Sequence, residues 1–169
     1  EGDHFNLDSF KKTVQDVMKT QDKVVVIIND PCHNPTGYTM SEEEWKEVVD
    51  FLNECSKTHS VVLINDIAYI DFSYRKEKAK EYFHVFDSIS PNMAVVVAFS
   101  ISKAMTAYGL RCGAAIILAN SPEAVEEIKI VFEKEARAIW SNINNGAMQM
   151  FVDVLDNHQD AYLAEKQKY

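Results

Sequence analysis

One lysine stands in a polar loop where its amine could do covalent chemistry. Lys103 lies in the stretch SISKAMTAYGLRCG, close behind Ser100 and Ser102 and ahead of Arg111. A primary amine condenses with an aldehyde. A guanidinium with neighbouring hydroxyls binds phosphate, because its planar fork of N–H donors matches the phosphate oxygens. These residue types therefore favour a small ligand that carries both an aldehyde and a phosphate.

Two further turns place polar side chains directly after apolar runs. Asn34 lies in the turn-rich stretch NDPCHNPTG, and the stretch NDIAY provides Asp66 and Tyr69. An amide, a carboxylate and a phenol are thereby added to the amine, the hydroxyls and the guanidinium of the lysine loop.

Pyridoxal phosphate is a cofactor that needs this set of groups. Its aldehyde needs an amine, for which Lys103 is the candidate, and its ring nitrogen works best when it is protonated and paired with a carboxylate, here Asp66. Asn34 and Tyr69 are predicted to reach the ring oxygen. The phosphate is predicted to contact Ser100, Ser102 and Arg111. The sequence thus predicts a pyridoxal phosphate site, and no spacing in it suggests a metal site.

Each residue taken alone also has an ordinary structural explanation. A single loop lysine such as Lys103 is usually solvated, and Asp66 could simply cap the segment that follows its strand. Tyr69 could be a core side chain, and an asparagine before proline, as at Asn34, is a common turn residue. The joint pattern, and not any one residue, favours the cofactor site.

The elements that must position these residues alternate along the chain. Apolar runs predict strands at residues 24–29, 61–65, 94–99 and 114–119, and the uninterrupted first run is typical of a strand covered on both faces. Helical spacing predicts a helix over 7–20, a second after Ser41, which forms a capping-box pattern with Glu44, and a third after Ser121. The chain beyond Ser141 is predicted to be helical, and residues 71–87 give no clear pattern.

This alternation predicts an α/β three-layer sandwich with a mostly parallel sheet. The strand at 114–119 is the exception, because only about a dozen residues separate it from the preceding strand, which is the lower limit for a parallel crossover. An antiparallel return would bring Arg111 to the edge at which Lys103 lies. Ligands of open α/β sheets bind at such an edge, beyond the carboxyl ends of the strands.

Composition limits the class of protein and its partners. The 169 residues suffice for one domain, and a formal net charge of −9 argues against nucleic acid or an anionic membrane as partner. Three cysteines without C-x-x-C spacing indicate neither a disulfide framework nor a zinc site, which favours a reducing cytoplasm. The chain begins without the apolar run of a signal peptide and has no stretch near the roughly 20 residues of a membrane span.

Three motifs together resemble one enzyme family. HNPTG, NDIAY and SISKAMTAYGLRCG, in this order, resemble the class I/II aminotransferases, pyridoxal-phosphate enzymes of the aspartate aminotransferase fold. The attachment signature of that family is serine, any residue, a small residue and lysine, then after a short gap glycine, any residue, arginine, any residue and glycine. Its positions are filled here by Ser100, Ser102, Lys103, Gly109, Arg111 and Gly113.

The resemblance implies further roles in transferring an amino group between an amino acid and a 2-oxo acid. Asn34 would also contact the substrate carboxylate, and Lys103 would move the proton of the substrate's α-carbon. The later stretch RAIWSN is similar to one that acts across a homodimer. It would place Arg137 on the substrate's side-chain carboxylate and Ser141 near the cofactor of the neighbouring subunit, which favours dicarboxylic or aromatic substrates.

The resemblance also implies that residues 1–169 are the central part of a cofactor-binding large domain. The amino-terminal part of that domain and the small domain would lie outside this sequence. The isolated segment is therefore expected to be inactive. Two alternatives stay open: a carbon–sulfur β-lyase of the same fold, and a non-catalytic fragment that only packs against a partner.

Overall fold

A four-stranded sheet forms the centre of the computed structural model, which describes residues 4–168. Its strands are β1 (Lys23–Asn29), β2 (Ser60–Asp66), β3 (Met93–Ser100) and β4 (Gly113–Ala119), and they lie side by side in chain order. β1, β2 and β3 are parallel, whereas β4 runs antiparallel to β3. The predicted α/β fold with a mostly parallel sheet and one antiparallel strand is confirmed.

Six α-helices accompany the sheet within the described residues. They are α1 (Leu7–Met18), α2 (Glu42–Cys55), the single turn α3 (Ile101–Ala104), α4 (Pro122–Ile139), α5 (Asn145–Asn157) and α6 (Gln159–Lys166). α2 begins with the predicted capping box, in which Ser41 accepts from the Glu44 amide and the Glu44 carboxylate accepts from the Ser41 amide. The Ser121 hydroxyl caps α4 by accepting from the Ala124 amide, ahead of Pro122. The predicted helices are present, although the first ends at Met18.

The stretch that gave no clear pattern is built of tight turns. Ile70–Phe72 and Lys76–Ser88 form 3-10 helices, the second of which buries four side chains: Ala79, Tyr82, Val85 and Phe86. A repeated 3-10 geometry has neither the period of an α-helix nor that of a strand, so neither pattern could have identified it.

The hydrophobic core lies between one face of the sheet and α2. Trp45 and Leu52 of α2 are fully buried, as are Leu63 and Val95 of the two central strands. The Tyr82 ring stacks on Trp45 with 4.8 Å between ring centroids. Burial of each large apolar side chain contributes about 1.5–3 kcal/mol, so this face fixes the sheet from which the polar turns project.

The opposite face of β1 corrects one prediction. Val25 and Ile27 are 61% and 68% exposed, whereas their neighbours Val24 and Val26 are buried. The expectation that this strand is covered on both faces is therefore wrong for the described residues. A run of apolar residues shows that both faces of the strand can be buried. It does not show which segment packs against each face.

β3 and β4 approach each other closely where the lysine loop begins. Ser100 pairs with Gly113, and the Ile101 amide donates to the Cys112 carbonyl at 3.2 Å. A Cβ atom on Gly113 would lie 2.5 Å from the Phe99 carbonyl oxygen, so only glycine fits there. The loop between the two strands is thereby closed at its base. Within residues 4–168, no helix is long and apolar enough to cross a membrane.

Candidate active site

The candidate residues gather at the carboxyl edge of the parallel strands. β1 ends at Asn29, β2 at Asp66 and β3 at Ser100. The register pairs Asn29 with Asp66 and Asp66 with Ala98, so β1 and β2 end level and β3 continues to Ser100 at the same edge. This is the edge at which the sequence predicts a ligand.

Lys103 lies on the single helical turn α3, directly after β3. The Ser100 hydroxyl caps this turn by accepting from the Ser102 amide at 3.2 Å. The Lys103 Nζ atom lies over two aromatic rings, 5.3 Å from the Tyr69 centroid and 4.4 Å from the Tyr108 centroid. Lys103 as a whole is half-buried.

Asn34 and Tyr69 meet above this edge. The Asn34 Nδ2 atom donates to the Tyr69 hydroxyl at 3.1 Å, across two different loops. Asn34 lies in a turn that contains two cis peptide bonds, Asp30–Pro31 and Asn34–Pro35. The amide and the phenol that the sequence assigns to one ring oxygen are thus neighbours.

Asp66 is held by the backbone that follows β2. Its Oδ1 atom accepts from the Ala68 amide at 3.0 Å, and the side chain is half-buried. A backbone donor of this kind fixes the orientation of the carboxylate. The Asp66 carboxylate therefore lies in a defined position at the centre of the strand edge.

Arg111 and the two serines form the other end of the group. The Arg111 Nη1 atom donates to the Ser102 hydroxyl at 3.1 Å and to the Tyr108 carbonyl at 2.9 Å. Arg111 adopts a left-handed backbone conformation with φ 52°, which turns the chain from the loop into β4. Arg111 and Lys103 lie on the same edge, as the antiparallel return predicts.

Asn29 is a site residue that sequence reasoning missed. Its Nδ2 atom donates to the Asp66 carbonyl at 3.0 Å, and its Oδ1 atom accepts from the Asn34 amide at 2.8 Å. One side chain thus fixes the backbones of two candidate residues. A signal was present, because Asn29 ends an apolar run as Asp66 and Ser100 do.

A buried carboxylate anchors the Asn34 loop from behind. Asp30 is 2% exposed, and its two oxygens accept from the Met40 amide at 2.8 Å and from the Trp45 indole at 2.7 Å. Burial raises the pKa of Asp30 above its usual value, although both donors act in the opposite direction. The Asn65 amide also donates to the Asp30 carbonyl at 2.7 Å, which ties the loop to β2.

Arg137 lies apart from this group. It is exposed in the last turn of α4, and its Nη1 atom donates to the Ser141 carbonyl at 3.2 Å. Within residues 4–168, no recorded contact joins Arg137 to Lys103, Asp66 or Tyr69. Its predicted role requires a second subunit and stays a prediction.

The chemistry of the donor set fits pyridoxal phosphate. The ends of β1, β2 and β3 bring together four groups: the Lys103 amine, the Asp66 carboxylate, the Tyr69 phenol and the Asn34 amide. The Arg111 guanidinium and the buried Ser102 hydroxyl lie beside them. Each of these groups has a counterpart on the cofactor.

Comparison with known proteins identifies the family. The model of the family "Aminotransferase class I and II" matches residues 1–168, so the chain belongs to the class I and II aminotransferases. The chain is 27% identical over 149 residues to aspartate aminotransferase P2, mitochondrial, of Lupinus angustifolius, covering 88% of this chain and 32% of that protein. It is 30% identical over 117 residues to an aromatic-amino-acid aminotransferase of Pseudomonas aeruginosa, covering 69% of this chain and 28% of that protein.

Solved structures agree with this assignment. An aminotransferase from Anaerococcus prevotii superposes with a TM-score of 0.93 at 36% identity, covering 98% of this chain and 41% of that chain. An aromatic-amino-acid aminotransferase from Burkholderia pseudomallei, covalently bound to pyridoxal phosphate in its crystal, has the same fold with a TM-score of 0.79. The chain thus spans about a third of the length of the curated relatives it matches.

Proposed function

We propose that this chain is the cofactor-binding part of a pyridoxal-phosphate-dependent enzyme that transfers an amino group between an amino acid and a 2-oxo acid. The observation that carries the proposal is the joint position of Lys103, Asp66 and Arg111 at one edge of the sheet. Family membership supports the same reaction, and the relatives named above are aspartate and aromatic-amino-acid aminotransferases.

Each candidate residue is assigned one contact with the cofactor. When bound, pyridoxal phosphate supplies an aldehyde for an amine and a ring that accepts electrons. Lys103 Nζ would be the amine that holds it, and Asp66 would keep the proton on the ring nitrogen. Asn34 Nδ2 and the Tyr69 hydroxyl would donate to the ring oxygen. The phosphate oxygens would accept from three residues: Ser100, Ser102 and Arg111.

Lys103 has a second task as a base. Its amine, above the Tyr69 ring, would take the proton from the α-carbon of a bound amino acid and hold it at Nζ. The aromatic rings of Tyr69 and Tyr108, 5.3 Å and 4.4 Å from Nζ, limit where the amine can move. We also assign to Asn34 a contact with the substrate carboxylate, and its exposure at the same edge supports this role.

Substrate choice depends on a second subunit in this proposal. Arg137 is exposed at the end of α4, close to apolar side chains that are also exposed, among them Ile139 and Trp140. We infer a homodimer in which this surface is covered and Arg137 meets the side-chain carboxylate of a dicarboxylic substrate. Aromatic substrates would bind at the same position without the ion pair to Arg137.

The rest of the machinery is proposed to lie outside residues 1–169. The chain covers 41% of the Anaerococcus prevotii structure, which leaves room for the remaining large domain and a small domain. Cys32, Cys55 and Cys112 are free thiols, which supports a reducing compartment such as the cytoplasm.

Borohydride reduction tests the proposal. The full-length protein that carries this segment should be yellow with pyridoxal phosphate, and borohydride should fix the cofactor to Lys103, as mass spectrometry of a digest would report. Lys103→Ala should lose the adduct, whereas Lys129→Ala on the exposed face of α4 should keep it. An undiminished adduct in Lys103→Ala would contradict the assignment.

A further inference from the structure

α6 contacts two segments of the candidate site from the far end of the chain. The Tyr162 hydroxyl donates to the Ala104 carbonyl at 2.8 Å, and the Lys166 Nζ atom lies 2.5 Å from the Asp71 Oδ1 atom. Ala104 directly follows Lys103, and Asp71 lies in the 3-10 turn that follows Tyr69. One helix thus reaches both the lysine turn and the tyrosine loop.

The two contacts lie on one face of α6. Residues four apart are neighbours on a helix surface, and the Lys166 amine lies 5.7 Å from the Tyr162 ring centroid. The Lys166 and Asp71 side chains are 32% and 15% exposed. Glu165 of α6 pairs with Lys168, just beyond the helix, and the Lys168 and Glu165 side chains are 64% and 58% exposed. Partly buried ion pairs are screened less than exposed ones, so the pair with Asp71 has the stronger hold.

The Ala104 carbonyl needs a partner because α3 ends there. The last carbonyls of a helix have no amide ahead of them. The Ile101 and Lys103 carbonyls accept from the Met105 amide as the chain leaves the turn. The Ala104 carbonyl accepts from the Tyr162 phenol. Burial raises the pKa of Tyr162, which keeps the hydroxyl protonated as a donor.

We propose that α6 is a strap that couples the lysine turn to the tyrosine loop. Tyr162 and Lys166 are positioning residues: together they fix the separation at which the Lys103 amine lies over the Tyr69 ring. The coupling itself is a property of this chain. Its importance for catalysis rests on the proposed function, in which Lys103 and Tyr69 both contact the cofactor.

Hydrogen exchange measures the coupling without any cofactor. In the cofactor-free full-length protein, Tyr162→Phe removes one oxygen atom and Lys166→Met removes one charge. Each variant should accelerate amide exchange about fivefold in both segments, 101–107 and 69–73, the factor that loss of one net hydrogen bond predicts. Acceleration confined to the segment that each residue touches would overturn the strap.

Two further variants separate the strap from general weakening of α6. Lys168→Met removes the exposed pair that Glu165 of α6 makes with Lys168, just beyond the helix, and should leave exchange in both segments unchanged. The exchange of charges in Asp71→Lys with Lys166→Asp should restore slow exchange. An equal effect of Lys168→Met, or a failure of the charge exchange to restore protection, would overturn the proposal.

The cofactor-loaded protein gives a separate readout. Visible circular dichroism of the bound cofactor reports its orientation, and it should change in Tyr162→Phe and Lys166→Met but not in Lys168→Met. An unchanged band in both strap variants would overturn their positioning role. Absence of a borohydride adduct on Lys103 would instead contradict the proposed function, and hydrogen exchange would still decide whether α6 is a strap.

Discussion

Side-chain chemistry at single positions carries the proposed reaction. Lys103 is an amine with aromatic neighbours, Asp66 is a carboxylate fixed by a backbone amide, and Arg111 is a guanidinium bonded to a serine. None of the three has an unusual residue type. Their proposed roles depend on their common position at one edge of the sheet. Each makes a different contact there, so each can be tested by its own substitution.

Asp66 should matter more for turnover than for cofactor retention. A carboxylate beside the ring nitrogen stabilises its protonated form, and the loss of one preorganised electrostatic partner costs about 100-fold in kcat. Asp66→Ala should therefore lower kcat by that order while the borohydride adduct on Lys103 persists. Asp156→Ala, an exposed carboxylate on α5, is the matched control and should be unaffected. Turnover at the control level in Asp66→Ala would show that another residue holds the ring nitrogen.

Local patterns at the residue and element scales were readable from the sequence because they depend on neighbours along the chain. The capping box of Ser41 and Glu44 is complete within four residues, and the antiparallel direction of β4 follows from the short loop before it. Other contacts join residues that are distant in the chain. Asn29 and Asp66 are 37 positions apart, and Tyr162 and Ala104 are 58 positions apart. No spacing rule encodes such contacts, so they required the folded chain.

The junction of β3 and β4 is the element that sets the geometry of the lysine loop. Gly113→Ala would place a Cβ atom 2.5 Å from the Phe99 carbonyl oxygen, which is backbone and cannot turn away. Overpacking of this kind costs about 1–3 kcal/mol. The variant should therefore unfold at lower denaturant concentration and bind phosphate-bearing ligands less tightly, because Arg111 moves away from Ser102.

Gly109 provides the control for that substitution. It lies in the same loop, and an added Cβ there would meet nothing within 4 Å. Gly109→Ala should change the free energy of unfolding by no more than about 0.5 kcal/mol. Equal destabilisation by the two alanines, in chemical denaturation followed by circular dichroism, would refute the role assigned to the close approach at Gly113.

Substrate choice belongs to the scale of the whole molecule, because it depends on a surface between subunits. If Arg137 pairs with a substrate carboxylate across the dimer, Arg137→Ala should lower kcat/KM for aspartate and glutamate by about 30-fold or more. The loss for the acidic substrates follows because removal of one partner of a buried charge pair costs about 2–5 kcal/mol. Activity with phenylalanine and tyrosine should fall far less, because these substrates have no side-chain carboxylate to leave unpaired. Kinetics with both substrate classes provide the measurement, and Lys134→Ala on the same helix is the control. Equal losses for both classes would make Arg137 a structural residue.

The strand order described above also bears on how this part of the protein acquires its structure. Within residues 4–168, β2, β3 and β4 each pair with the strand that precedes them in the chain, so each of these pairings can form as soon as its second strand is present. Ser100 at the end of β3 pairs with Gly113 at the start of β4, and only the short lysine loop separates them in the chain. Short loops close with a small loss of chain entropy, so the antiparallel pair of β3 and β4 can form early, whereas the parallel pairs must close longer connections. As the chain leaves the ribosome, these four strands become available in the order in which they pair, so the sheet can grow one strand at a time.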